Sequence, residues 1–151
     1  MRPSPTRAMA GGLAGTVLMA LMMRFLAPMM IGHPMVIAEM LGKTMGNRWA
    51  LGMLAHVTNG IIVFPFIYTF FVYEKIRGAR VARGIVWGII LWLVGELVVM
   101  PMAGAGLFSA NIGGMKTVIA ALMGHVVYGS TLGAIAGKSE SPEVKSKLRH
   151  P

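Results

Sequence analysis

Residues 84–103 read GIVWGIILWLVGELVVMPMA, an almost unbroken apolar run in which Glu96 is the only charged residue. A helix rises about 1.5 Å per residue and the hydrocarbon core of a bilayer is about 30 Å thick, so about 20 such residues cross it. Three further runs of this length lie at about residues 9–31, 50–73 and 117–137. The sequence therefore predicts an all-α membrane protein with four transmembrane helices.

The overall composition agrees with a membrane protein. Of the 151 residues, 56% are hydrophobic and 13% are charged, and the mean hydropathy is +0.69. These values are too apolar for a soluble domain of this size. The chain has no cysteine, which excludes disulfides, thiolate metal sites, iron–sulfur clusters and cysteine nucleophiles.

The net charge of +9 would ordinarily suggest a nucleic-acid partner. Here, however, the basic residues gather in the short segments between the apolar runs rather than on one soluble face. We therefore expect membrane lipid as the immediate partner, together with other membrane subunits or further copies of the chain, and no nucleic acid.

The lysines and arginines are divided unevenly between the two ends of the predicted helices. Three segments on one side of the membrane hold ten of them, and the other side holds three. Cytoplasmic loops carry an excess of lysine and arginine, which predicts that both termini face the cytoplasm of a bacterial inner membrane. Residues 1–137 would form a single transmembrane domain and 138–151 a polar cytoplasmic tail. The ten basic residues on the predicted cytoplasmic side are Arg2, Arg7, Lys75, Arg77, Arg80, Arg83, Lys138, Lys145, Lys147 and Arg149. The three on the opposite side are Lys43, Arg48 and Lys116.

The two predicted external loops differ in pattern. Residues 33–49 carry apolar side chains at helical spacing, which predicts a short amphipathic helix on the outer membrane surface with Trp49 at the interface. His33, at the start of this loop, is interpreted as a solvated loop residue. Residues 103–115 are rich in glycine, and we interpret them as a flexible turn.

The second and fourth runs share a short pattern that indicates an internal repeat. Each places a histidine four residues before a glycine: His56 before Gly60, and His125 before Gly129. Two helical hairpins of the same topology would produce this pattern. In an up-down bundle the second and fourth helices then lie diagonally across the core.

Small residues spaced by four along three of the runs predict close helix packing. These faces would serve either within one four-helix bundle or between neighbouring subunits. They comprise Gly11 and Gly15, Gly84 and Gly88, and the series Gly129, Gly133 and Gly137.

Four ionisable residues, Arg24, His56, Glu96 and His125, fall inside the runs at similar depth in the outer half of the bilayer. An unpaired charge at such a depth costs about 2.5–3.5 kcal/mol or more, so each residue should face inward and find a partner. Arg24 and Glu96 are predicted to form an ion pair, which in its simplest role only holds the first and third helices together.

Two interpretations of the histidines remain open. In one, His56 and His125 are neutral and donate or accept hydrogen bonds between helices. In the other, they are the axial ligands of a haem b iron, with Arg24 pairing with a haem propionate. A non-haem metal site with Glu96 as a third ligand, and a copper(I) site formed by some of the fifteen methionines, are further alternatives.

The chain resembles a group of small, uncharacterised bacterial inner-membrane proteins that accompany respiratory haem–copper oxidases or nitric oxide reductases. The resemblance lies in the four-span plan, the repeated His-x-x-x-Gly at His56 and His125, and the Pro-x-x-Gly-x-Gly-x-Phe stretch from Pro101 to Phe108. It implies an accessory or haem-carrying subunit.

The expected function is therefore that of a small non-catalytic subunit of a respiratory complex, with haem b between the second and fourth helices. The chain carries no catalytic motif of the kinds known for hydrolases or nucleotide-binding enzymes, so we do not expect an enzyme on its own. The alternative is a small homo-oligomeric transporter or channel whose Arg/Glu/His layer forms a midmembrane site. A purely structural protein, in which the polar layer only sets helix register, is the third possibility.

Overall fold

The computed structural model describes residues 3–137, and it confirms an all-α fold with four helices long and apolar enough to cross a membrane. In chain order the helices are α1 (Pro5–Ile31), the short α2 (Ile37–Thr44), α3 (Trp49–Val72), α4 (Arg80–Met102) and α5 (Met115–Ala136). The protein is thus a multi-pass membrane protein. The predicted tail, 138–151, lies outside the described residues.

Helix α5 lies at the centre of the bundle. It buries 44% of its most apolar stretch, against 17–28% for the other three long helices, and its largest contacts are with α4 and α1. Helix α3 packs against α1. This arrangement places α1 diagonally opposite α4, and α3 diagonally opposite α5, as predicted for an up-down bundle.

The predicted small-residue faces pack within the chain. Gly84 of α4 lies against the backbone of Gly129 and Gly133 of α5, and Gly15 of α1 lies against Tyr128. A side chain at any of these positions would keep the two backbones apart, so glycine is what permits the close approach. Of the two roles expected for these faces, the structure shows packing inside one four-helix bundle.

Arg7 joins the start of α1 to the end of α5. Its guanidinium donates to the backbone oxygens of Ile135, at 3.1 Å, and Gly137, at 3.3 Å. The last carbonyls of a helix lack intrahelical donors and carry partial negative charge, which a nearby cation satisfies. Arg7 therefore caps α5 at the predicted cytoplasmic end of the bundle.

Helices α3 and α4 meet at that same end. The rings of Tyr68 and Trp87 lie 6.5 Å apart between centroids, and the Arg83 guanidinium lies 4.6 Å from the centre of the Tyr73 ring. In the opposite half of the bundle, side chains of both helices instead line a cavity.

Both α3 and α4 contain a widened, π-helical turn shortly before a proline. The turns are Asn59–Val63, ahead of Pro65, and Gly95–Val99, ahead of Pro101. Proline has no N–H and its ring crowds the preceding turn, so it disturbs the regular helical hydrogen bonds. Turns of this kind occur often at functional sites, and here they flank the cavity.

The π turn of α3 leaves one carbonyl without a donor in its own helix. The amide of Phe64 bonds to the oxygen of Asn59, five residues back. In the same pattern the backbone nitrogen of Pro65 would donate to the Gly60 oxygen, but proline has no N–H. The hydroxyl of Tyr128 donates to the Gly60 oxygen instead, at 2.8 Å, and so joins α5 to α3.

Helix α2 confirms the short helix predicted in the first external loop. Its Ala38 and Gly42 are buried against Gly52 of α3, where a Cβ would collide with the backbone of α2. The apolar side chains Ile37 and Met40 line the cavity below. The helix therefore covers one end of the bundle as well as lying at its surface.

Candidate ligand cavity

A cavity of about 150 Å³ lies between the four long helices and beneath α2. It is in the half of the bundle away from the termini, and its walls are mostly apolar. Both His56 and His125 line it. The structure thus brings together the two histidines that the repeated pattern predicted. Five methionines also line it: Met19, Met23, Met35, Met40 and Met100.

The ring of His125 is oriented by its own helix. Its Nδ1 lies 2.8 Å from the backbone oxygen of Ala121. Because a carbonyl oxygen only accepts hydrogen bonds, Nδ1 must carry the proton in this contact, and Nε2 of the neutral ring keeps its lone pair. Histidines that ligate a metal usually donate their other ring nitrogen to such an acceptor.

His56 offers a second nitrogen. Its Nε2 is buried and has no hydrogen-bond partner among residues 3–137. Leaving a buried polar atom unpaired costs about 1–3 kcal/mol, so such an atom calls for a ligand or a bound water. The two imidazoles therefore present nitrogen atoms that no protein group occupies in the described part of the chain.

The predicted ion pair between Arg24 and Glu96 is not formed. Arg24 is exposed, with its guanidinium 5.6 Å from the centre of the Phe25 ring, and Glu96 is only 1% exposed. The physical reason is the order of the helices: α1 and α4 are diagonal, with α5 packed against both. Arg24 instead lines a shallow pocket that it shares with His56.

Glu96 has a different partner, which sequence reasoning did not identify. The hydroxyl of Ser109 donates to its Oε2 at 2.9 Å, and Ser109 is fully buried. Ser109 belongs to the loop between α4 and α5, six residues beyond the end of the predicted third span. The only hint in the sequence is a serine within a glycine-rich segment that could fold back on the helix ends.

The loop that carries Ser109 is folded, which corrects the expected flexible turn. The amide of Asn111 donates to Ala105 at 2.9 Å, and the amide of Gly114 donates to Ser109 at 3.0 Å. Phe108 and Ser109 adopt positive φ angles of 49° and 54°, which side-chain-bearing residues rarely do. This backbone is held in a strained form that directs Ser109 to Glu96.

Replacing Ser109 with alanine tests this contact. We expect Ser109→Ala to lower the free energy of unfolding by about 1–2 kcal/mol, because it leaves the buried Oε2 of Glu96 without its donor. In a Glu96→Leu background the same change should have almost no effect, because the acceptor is already absent. Reversible unfolding in mixed detergent micelles would measure both. Equal losses in the two backgrounds would show that the hydroxyl serves another group.

His33 and Glu96 do not join His56 and His125 at the cavity. His33 is exposed, as expected of a loop residue, and its ring lies near the oxygen of Pro34. No group of three histidine or acidic side chains within residues 3–137 is placed to hold a metal ion. The three-ligand site with His56, His125 and Glu96 is therefore not assembled.

Comparison with known proteins places the chain in a family. No curated protein and no solved structure matched it. Among protein families, the match is to a family of unknown function, DUF6789, and it extends over residues 3–146. Because that match includes all four membrane-spanning helices and the cavity between them, the chain belongs to the DUF6789 family.

Proposed function

We propose that this protein is a small, non-catalytic subunit of a respiratory membrane complex of the haem–copper oxidase type. In this proposal it holds a metal centre between α3 and α5, with His56 and His125 as ligands. The observation that carries it is the placement of both imidazoles on one cavity. The respiratory part rests on the resemblance of the four-span plan and its two histidine motifs to proteins that accompany such oxidases.

The hydrogen bonding of the histidines supports ligation. His125 donates from Nδ1 to a backbone carbonyl, which leaves Nε2 as the basic nitrogen, and His56 has an unpartnered Nε2. A carbonyl or carboxylate behind a ligating histidine fixes its orientation and raises its basicity. Both Nε2 atoms are neutral ligand atoms of a kind suited to iron or copper.

Haem b is one form of this centre. His56 and His125 would hold its iron, and Arg24, which shares a pocket with His56, would pair with a propionate. Bound haem would supply one-electron transfer. The donor atoms suit a haem iron, but an apolar cavity of about 150 Å³ admits a ligand of about benzene size. A macrocycle therefore requires the flexible methionine side chains to move aside.

The first test is an absorption spectrum of the detergent-purified protein, oxidised and dithionite-reduced. If haem is bound, a sharp reduced α-band should be present in the wild-type protein and lost in both His56→Ala and His125→Ala. His33→Ala is the matched control and should keep the band, because His33 is exposed in a loop. Metal analysis of the same four proteins would detect a metal centre that contains no haem.

Two results would contradict the proposal. A metal or haem content that is the same in all four proteins would remove His56 and His125 as ligands. A purified, folded protein that never accompanies an oxidoreductase when isolated from its native membrane would remove the subunit role.

A second candidate, a small homo-oligomeric transporter or channel, is favoured by the interrupted helices. Helix α1 is interrupted at Leu26, and α3 and α4 contain π turns beside the cavity. Discontinuous helices around a midmembrane site are typical of transporters. Flux measured in proteoliposomes should then fall in Glu96→Gln and His125→Ala. Flux that persists in both variants would contradict a transport path through this site.

A further inference from the structure

The cavity combines imidazole nitrogens with an unusual number of sulfur atoms. Five of its lining residues are methionines, and thioether sulfur is a soft ligand. We propose that the cavity binds one soft, monovalent metal ion of the copper(I) class, held by His56 and His125 together with methionine thioethers. This inference rests on the His56 and His125 pair of the proposed function and names the ion that the pair takes.

Two of the methionines, Met19 and Met23, pack against the glycine that precedes His125. Met19 and Met23 are one helical turn apart and so share a face of α1, and both are almost fully buried. A Cβ placed on Gly124 would lie 3.0 Å from Cε of Met23 and 3.3 Å from Cγ of Met19. The bare backbone of Gly124 therefore lets both thioether chains pack beside the residue that precedes His125.

The charge of the lining selects a monovalent ion. Among residues 3–137, none of the cavity-lining side chains is a carboxylate, and Glu96 is bonded to Ser109 instead. Burying charge in an apolar interior is costly unless it is compensated. A divalent ion with only neutral ligands would leave two uncompensated charges, and copper(I) would leave one. Imidazole and thioether ligands match the preference of copper(I).

Exposed methionines occur at the same end of the bundle. Among residues 3–137, the three most exposed large apolar side chains are Met29 at 83%, Met115 at 68% and Met102 at 67%. They lie at the ends of α1 and α4 and at the start of α5. Thioethers at this surface would attract the same soft ion and hold it near the cavity.

The decisive experiment is an anaerobic titration of the detergent-purified full chain with copper(I), in competition with a chromophoric copper(I) chelator. We expect one ion per chain and no displacement by excess zinc(II). The His56→Gln/His125→Gln variant should bind copper(I) at least about 100-fold more weakly. Loss of a residue that only orients a metal ligand weakens binding by roughly 10–100-fold, and loss of the ligands themselves should weaken it more.

Methionine variants test the sulfur ligands. Met19→Leu/Met23→Leu keeps the side-chain volume and should weaken binding by about tenfold or more. Met9→Leu, on the same helix but 41% exposed and away from the cavity, is the control and should bind like the wild-type protein. X-ray absorption of the copper-loaded wild-type protein should show both sulfur and nitrogen neighbours, which does not depend on how any variant folds.

The outcomes separate this inference from the proposed function. A copper(I) neighbour shell without sulfur, or zinc(II) bound more tightly than copper(I), would overturn the soft-ion inference. A haem band that depends on both histidines, without copper(I) binding, would also overturn it and would leave the proposed function standing. If the histidine variants change neither haem nor copper(I) binding, both are overturned.

Discussion

Gly84→Ala is expected to lower the free energy of unfolding by about 3 kcal/mol, at the upper end of the range for overpacked cores. The new methyl carbon would lie 2.8 Å from Cα and 2.9 Å from the amide nitrogen of Gly133. These are backbone atoms of the facing helix, so no side chain can rotate away to make room. Helices α4 and α5 would have to separate along their most extensive contact.

Gly95→Ala is the matched control for this prediction. It makes the same change on the same helix, but its Cβ would meet nothing within 4 Å. Alanine favours helix over glycine by up to about 1 kcal/mol, so this variant should be as stable as the wild-type protein or slightly more stable. Reversible unfolding in mixed micelles, followed by circular dichroism, would measure both variants. Equal losses would show that close contact with α5 is not what Gly84 provides.

Tyr128→Phe is expected to lower the free energy of unfolding by about 2–3 kcal/mol, because it leaves a buried acceptor unpaired. The Tyr128 hydroxyl donates to the Gly60 oxygen at 2.8 Å, and the side chain is 3% exposed. The Gly60 oxygen has lost its helical donor to the π turn and Pro65. The hydrocarbon around the bundle supplies no hydrogen-bond donor to replace the hydroxyl.

Tyr68→Phe provides the comparison, since it removes the same atom from an equally buried ring. The hydroxyl of Tyr68 has no hydrogen-bond partner within residues 3–137, so removing it should leave stability unchanged or raise it. Pro65→Ala extends the test by restoring an N–H for the Gly60 oxygen. In that background Tyr128→Phe should cost much less than in the wild-type protein. A cost that stays the same would mean that the hydroxyl does not act through Gly60.

Gly60 and Tyr128 also help to shape the cavity, because both are part of its wall. Their hydrogen bond joins α3, which carries His56, to α5, which carries His125. In the proposed metal site, a bond that fixes these two helices would keep the two histidine nitrogens in position. Weakened metal binding in Tyr128→Phe would therefore accompany the loss of stability.

Much of the fold was predictable because it depends on local pattern. Helices that cross a bilayer must be long and apolar, and this requirement is visible in the runs themselves. The structure has α1 and α4 beginning at Pro5 and Arg80, four residues before the predicted starts, and the other limits agree closely. The glycine faces were also predictable, since spacing by four places residues on one side of any helix.

The candidate site was only partly predictable. The repeated His-x-x-x-Gly motif identified His56 and His125, and both line the cavity. The pairing of Arg24 with Glu96 was inferred from equal depth, but depth does not state which helices are neighbours. Glu96 instead meets Ser109, a contact that depends on a folded loop with unusual backbone angles.

The sequence by itself determined the number of membrane crossings, their lengths and the faces on which small or polar residues lie, because these follow from hydrophobicity and helical periodicity. Only the tertiary structure decided which helices touch, how the π turns before Pro65 and Pro101 free backbone groups, and where a cavity remains. The reason is physical. These features depend on the packing of segments distant in the chain, and packing is a property of all four helices at once.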